Sequence, residues 1–333
     1  MHSTREKFGL SIARRYISGW MIVVVIVLID AVWLNLSAHT LRWLSIFAVC
    51  KASGILIFLA VLLRAIGRVH RYQAVTSRLQ YAKVVDASAW CALLICFVSA
   101  TCVLSYLCVS VNAPLIDSQL IAFDHAFGFD WLSVYKWVRA HPDIQKVLQF
   151  AYASGQWQLV TIPFVLCLSS RREAISEFFF QLALASTCLL LISTPWPATS
   201  AFIHFNIGDV NTAATVSDFA LLRDGALQVI DIANAQGLVS MPSFHTALAV
   251  LFTYSLRRLP LFFCIAVPLN TLMIFSTPTQ GGHYLADVIG GLLLAVMTIH
   301  TWNTIARICL GKWDIHRLFS TPMIAKIESK RPL

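Results

Sequence analysis

Apolar runs constrain this chain more than any other feature of its sequence. A helix needs about 20 mostly apolar residues to cross a bilayer, and eight stretches qualify: 17–36, 43–63, 87–111, 147–169, 174–193, 241–257, 259–276 and 283–306. Charged residues make up only 12% of the 333, against 58% hydrophobic, too few to cover a water-facing surface. Soluble enzymes, disordered chains and disulfide scaffolds are thereby excluded. The expected fold class is an all-α integral membrane protein with about eight transmembrane helices. The nine cysteines lie in or beside these runs with no CxxC pair, which reads as packing rather than metal or redox chemistry.

The net charge of +9 does not point to nucleic acid, because the basic residues sit in short clusters between apolar runs. With the N-terminus in the cytoplasm, the cytoplasmic segments hold 19 Lys and Arg, and the other side holds Arg42, Lys136, Arg139, Lys146 and Arg223. This positive-inside bias predicts that both termini are cytoplasmic. Basic residues precede the first run and no small-residue cleavage site follows it, so it reads as a retained signal anchor. A bacterial inner membrane fits this pattern; an endomembrane with its lumenal face outside satisfies the same rule.

Two charges fall inside predicted spans, and such residues need a reason. Asp30 and Lys51 lie at nearly the same depth in the first two spans and are expected to pair; the alternative is that each lines its own polar crevice. Between spans, residues 213–233 place Val216, Phe219, Ala220, Leu227, Ile230 and Ala233 at helical spacing, which predicts an interfacial helix. In the fourth span Gln149, Tyr152 and Gln156 share a helix face. That face either lines a cavity or bonds neighbouring helices.

The chemistry gathers in the last third. Ser240-Met241-Pro242-Ser243-Phe244-His245 opens the sixth span, with Pro242 suited to an early helical position. Ser276-Thr277-Pro278-Thr279-Gln280-Gly281-Gly282-His283 separates the seventh span from the eighth, which begins with Tyr284 and Asp287. His283 and Asp287 are four residues apart, placing them on one helix face. The carboxylate can accept a hydrogen bond from Nδ1–H, fixing the tautomer and leaving the other imidazole nitrogen as a nucleophile. Both helix starts fall on the non-cytoplasmic side, where their partial positive charge suits phosphate. Gly281 and Gly282 allow close backbone approach to a ligand.

Pro242-Ser243-Phe244-His245 followed by His283-Tyr284-Leu285-Ala286-Asp287 resembles the motifs PSxH and SRxxxxxHxxxD of the type 2 phosphatidic acid phosphatase (PAP2) superfamily. Within it the chain is most similar to the inositol phosphorylceramide synthase-like branch and its bacterial relatives. The likeness is close over residues 240–290 and looser from Pro114 to Trp131, through Asp117, Asp124, Gly128 and Phe129. The resemblance implies a six-helix PAP2-like catalytic bundle preceded by an N-terminal helical hairpin. On that reading residues 1–85 form the hairpin and a basic loop, 86–310 the catalytic membrane domain, and 311–333 a basic cytoplasmic tail. It also implies that His283 attacks phosphorus to form a phosphohistidine, Asp287 orients it, and His245 protonates the leaving oxygen and then activates the acceptor. Ser243 and backbone amides such as that of Gly282 would hold the phosphate oxygens. No metal or other cofactor is implied; the partners are the bilayer and a phospholipid or polyprenyl phosphate substrate.

The departures bear on the substrate. The motif's Ser-Arg is Ser276-Thr277 here, and no Lys-x6-Arg-Pro motif precedes Pro242; the nearest segment is Ser193-Thr194-Pro195-Trp196-Pro197. A site short of cations suits a singly charged phosphodiester better than a dianionic monoester. Headgroup transfer is therefore favoured, with a lipid phosphate or polyprenyl diphosphate phosphatase as the alternative and a non-catalytic lipid-binding or transport protein as the second. Arg223 is the one cation between Arg172 and Arg257; it either contacts phosphate or pairs with a neighbouring aspartate.

Overall fold

The structure, a computed structural model, describes residues 2–69, 80–169, 172–208 and 217–309, and these are helical nearly throughout. The expected basic tail at 311–333 lies outside them. Helices α1 (His2–Leu36) and α2 (Trp43–Ile66) precede α3 (Tyr81–Ser110). Two short helices, α4 (Asp117–Ala126) and α5 (Trp131–Arg139), lead into α6 (Pro142–Leu168) and α7 (Arg172–Ser193). After α8 (Ala201–His204) and α9 (Ser217–Arg223) come α10 (Phe244–Leu256), α11 (Pro260–Gly281) and α12 (Leu285–Cys309).

Each predicted span falls on a helix, but only six helices are both long and apolar enough to cross a membrane, so the count of eight is not reached among the described residues. Those six are in α1, α2, α3, α7, α11 and α12. The other two fall short for different reasons. Helix α6 has 27 residues, but Gln149, Ser154, Gln156 and Gln158 dilute its apolar run. Its exposed flank is still lipid-like, with Phe150 at 70% and Trp157 at 73% exposure. Helix α10 is apolar but has only 13 residues, or about 20 Å of rise against a hydrocarbon core of about 30 Å. Ser243 caps its start, and Pro260 opens the next helix just past its end.

Helix–helix association in a membrane relies on close packing and interhelical hydrogen bonds rather than on exclusion of water. Here α3 packs against α1, α2, α6 and α7. Its Trp90 and Phe97 meet Phe179 of α7 with ring centroids 5.8 and 5.3 Å apart. Lower in the bundle, Gln158 donates to Asn270 Oδ1 (2.9 Å) and Asn270 donates to Thr253 Oγ1 (3.1 Å), tying α6, α11 and α10 together. This answers the question about the polar stretch of α6 in parts. Gln158 bonds neighbouring helices, Tyr152 turns to His245, and Gln149 and Gln156 are exposed.

Three expectations need correction. Asp30 and Lys51 do not pair, because α1 and α2 pack on α3 rather than on each other. Asp30 is buried with Oδ1 unpartnered among the described residues, while Lys51 is exposed. Second, residues 217–233 are not one helix, and the first four positions of the predicted 213–233 lie outside the described residues. Helix α9 stops at Arg223, and Gly225 turns the chain with φ 71°. Strand β2 (Val229–Ile230) then pairs in parallel with β1 (Thr40–Leu41). Third, α11 does not end near 276 but runs through Pro278 to Gly281, so Ser276 and Thr277 are helical and buried.

The β1–β2 pairing ties the connection between α1 and α2 to the segment after α9. Asp231 secures it, accepting from Arg42 (2.8 Å), Ser45 Oγ, the Ala233 amide (3.1 Å) and Asn234 Nδ2 (2.9 Å). From the other side Tyr106 of α3 donates to Asp218 (2.9 Å) and accepts from the Gln236 amide (2.8 Å). Phe219, Leu222, Ile230 and Leu238 pack beneath against Val103, Tyr106 and Leu107. Residues 217–240 thus form a strap across one end of the bundle.

Candidate active site

Beneath that strap lie the starts of α10 and α12, which bring the two sequence motifs together. Gly290 and Gly291 of α12 make this possible. A methyl on Gly291 would stand 2.3 Å from the Ser243 carbonyl oxygen, and one on Gly290 would stand 3.0 Å from Met241 Cε. The Ser243 amide donates to the Asp287 carbonyl at 2.9 Å, fixing the relative register of the two helices.

Each predicted site residue has a definite place. His283 is buried, but it precedes α12 rather than lying on it, so the pair does not share a helix face as expected. The approach is made all the same, with Nδ1 3.4 Å from Asp287 Oδ2. That is longer than a formed hydrogen bond, and Nδ1 has no hydrogen-bond partner among the described residues. Asp287 is fully buried; its Oδ2 accepts from Ser240 Oγ (2.8 Å) and the Tyr284 amide (2.9 Å), while Oδ1 has no partner among the described residues.

His245 stands on the first turn of α10. Its Nδ1 is 3.3 Å from the Tyr152 hydroxyl, and the two rings stack with centroids 4.2 Å apart. Ser243 is fully buried as the N-cap of α10, its Oγ accepting from the Thr246 amide (3.4 Å) and hydroxyl (3.1 Å). Pro242 therefore precedes the helix instead of opening it. Gly282 ends α11 at φ 65°, its amide donating to Thr277 O. The close approach it permits is to protein: a Cβ there would meet Ser200 Oγ at 2.0 Å. Gly281 faces the site, where a Cβ would meet both the Tyr152 hydroxyl and His283 Cδ2 at 2.8 Å.

Arg223 is not brought to this point. Its Nη2 donates to the Ala113 carbonyl (2.8 Å) and its guanidinium lies over Phe219, 5.6 Å from the ring centre. Burial pulls its pKa below the ordinary value, against the pull of Asp224 and Asp117. The expected aspartate partner does not appear among its hydrogen bonds, and its Nη1 is buried with no partner among the described residues.

Several residues outside the two motifs hold the site. Asp124 of α4 accepts from the Leu285 (2.9 Å) and Ala286 (3.0 Å) amides, capping α12 from about 160 residues away in sequence. Burial keeps its carboxyl above the usual carboxylate range, although these two bonds lower it. Asp117 accepts from the Tyr284 hydroxyl (2.8 Å) and from Thr199 N (3.0 Å) and Oγ1 (2.6 Å). Trp131 donates to the carbonyls of both Pro278 and His283 at 3.1 Å, satisfying acceptors left over where α11 ends. The aspartates were picked out by resemblance; their partners were not.

A narrow cavity opens at His283, lined also by Ser200, Phe219, Leu238, Ser240 and Gly281. No Lys or Arg lines it among the described residues. Thr277, at the motif's arginine position, is fully buried and faces Thr246, with hydroxyls 3.5 Å apart. Chemically the arrangement offers two imidazoles, one beside a buried carboxylate and one beside a phenol, in a space with hydroxyl donors and no fixed cation among the described residues.

In comparison with known families, a family model described as PAP2 superfamily matches residues 118–301. That span takes in Asp124, Trp131 and Tyr152 as well as the two motifs, and it singles out no branch within the superfamily. No curated protein and no solved structure matches the chain.

Proposed function

Because this chain belongs to the PAP2 superfamily, whose members are generally phosphatases or phosphotransferases, we propose that it transfers a phospho-headgroup between lipids. The substrate is a lipid phosphodiester, as in the inositol phosphorylceramide synthase-like branch. His283 Nε2, with Nδ1 turned toward Asp287 Oδ2 at 3.4 Å, attacks phosphorus. As the P–N bond forms, the bond to the leaving oxygen breaks, and His245 Nε2–H protonates that oxygen. In the second half the acceptor hydroxyl attacks, His245 takes its proton, and the P–N bond breaks. Nucleophile and proton carrier are both side chains, so these steps require no metal ion.

The observation that carries the phosphodiester reading is the lack of a cation in the cavity wall among the described residues, together with Thr277 buried where the motif has arginine. A phosphodiester brings one negative charge to this space and a monoester two. Hydroxyls and helix-end amides can hold the first without a fixed cation. The strap over the cavity supports transfer over hydrolysis, since excluding water favours an alcohol acceptor. The charge distribution supports placing this end on the non-cytoplasmic face, with both termini cytoplasmic.

The test uses purified protein in lipid nanodiscs without added metal. Phosphatidylinositol, phosphatidic acid and a polyprenyl diphosphate are offered, each with and without ceramide or diacylglycerol, beside a His283→Ala control. A new phospholipid formed from phosphatidylinositol without free phosphate is the expected result. Free phosphate released by the native protein alone would replace transfer with hydrolysis. Equal product from His283→Ala would end the phosphohistidine mechanism.

A further inference from the structure

We propose that Tyr152 is a positioning residue that sets the tautomer of His245, an inference that rests on the histidine roles just given. The two side chains come from helices far apart in sequence, yet they stack at 4.2 Å with 21° between ring planes, and the phenol oxygen is 3.3 Å from Nδ1. Gly281 leaves room for the phenol of this pair: a Cβ there would stand 2.8 Å from the Tyr152 oxygen. His245 Nδ1 is the only hydrogen-bond partner found for this hydroxyl among the described residues. The contact can run either way, since a phenol can donate or accept.

The proton traffic dictates which way the bond runs. His245 gives a proton to the leaving oxygen and takes one from the acceptor, and a single ring nitrogen must do both. If the phenol donated to Nδ1, the resting neutral imidazole would carry its proton on Nε2 and could not act as a base there. With the phenol oxygen accepting from Nδ1–H, that proton never leaves. Nε2 alone then shuttles: it is protonated in the cationic form, bare after the leaving oxygen is protonated, and protonated again by the acceptor. A carboxylate in the same place would hold the ring permanently cationic; a phenol orients it without doing so. The other groups facing His245 do not compete for Nδ1. His283, which borders Gly281 together with Tyr152, turns its own Nδ1 toward Asp287, and Met273 of α11, which borders Gly155 together with His245, does not titrate. On α7, Glu177 is bonded to Arg257 at the far end of α10.

Two measurements test this. Nitrogen-15 spectra of histidine-labelled protein in nanodiscs, with His245 assigned by its loss in His245→Gln, should give the Nδ1–H tautomer for neutral His245. In Tyr152→Phe, which keeps the stacked ring, a mixture of tautomers should replace it. An Nε2–H tautomer in the native protein would overturn the inference whatever the activity. In turnover assays Tyr152→Phe should lower kcat by about tenfold with KM within about twofold. The basic limb of its pH profile should move down by about half a unit to one unit, because the imidazolium loses an acceptor. A native kcat and an unmoved limb would also overturn it. Failure of the histidine roles themselves would appear separately, as His283→Ala or His245→Gln retaining turnover.

Discussion

Gly291→Ala tests whether the two motifs work only in register. The added methyl would stand 2.3 Å from the Ser243 carbonyl oxygen and 2.8 Å from Thr246 Cβ. The first obstacle is backbone and cannot rotate away. Ordinary contact begins near 3.4 Å, so α12 and α10 must part by about 1 Å at this point. Overpacking of this kind costs about 1–3 kcal/mol, and the better helix propensity of alanine returns up to about 1 kcal/mol. The fold should therefore survive with a melting temperature only a few degrees lower. Catalysis is less tolerant: a misplacement of about 1 Å between reacting groups costs about 100-fold in rate. The expected outcome is a kcat down by about that factor in the nanodisc assay, with the protein still folded by thermal melting. Gly54→Ala on α2 is the control, since nothing lies within 4 Å of its added methyl. Native turnover by a folded Gly291→Ala protein would refute the claim that this contact aligns the site.

Asp124→Ala should destabilise by about 1–2 kcal/mol and reduce turnover, because the first amides of α12 lose their cap; Asp124→Asn should recover most of both. Asp231→Ala should raise hydrogen exchange across 217–240 while leaving the bundle protected, and unchanged exchange there would show that the strap holds without it. The Asp231 carboxyl is held below its ordinary range by Ser45, then Asn234 and Arg42. Its contribution is therefore complete above the ordinary carboxylate value of about 3.9 and is lost as pH falls through its depressed native one. Strap protection should accordingly drop below about pH 4, and this drop should be absent in Asp231→Asn. Arg223→Ala should lower the melting temperature through its lost bond to Ala113 and leave KM within about twofold; a KM raised about tenfold would instead put the guanidinium on the phosphate.

Pattern and spacing made some of this legible. Apolar runs of bilayer length placed a helix at every predicted span, because burial of helix backbone in lipid demands internal hydrogen bonding regardless of neighbours. The motif spacing likewise predicted that His283, Asp287, Ser243 and His245 would meet. Other expectations failed where a local pattern stood in for a long-range contact. Asp30 and Lys51 have matching depths, but depth says nothing of azimuth, and the two helices turn to α3 instead of to each other. Residues 213–233 have helical spacing, yet the available pairing with β1 and the Gly225 turn dominate. The seventh span was expected to end near 276, but α11 runs on to Gly281 with Pro278 inside it, where Trp131 bonds the Pro278 carbonyl.

Residue type and short spacing were enough to specify a membrane-embedded helical chain and to single out two histidines and an aspartate. What holds those three groups was settled by the packing of the folded chain. It made Ser243 a buried cap, turned Gly282 toward Ser200, took Arg223 to Ala113, set Asp124 on the start of α12 and put Tyr152 against His245. Apart from the local cap, each of these outcomes is a contact between segments about 80 to 160 residues apart. Hydrogen-bonding groups have several candidate partners in a chain of this length, and the packing of helices chooses among them.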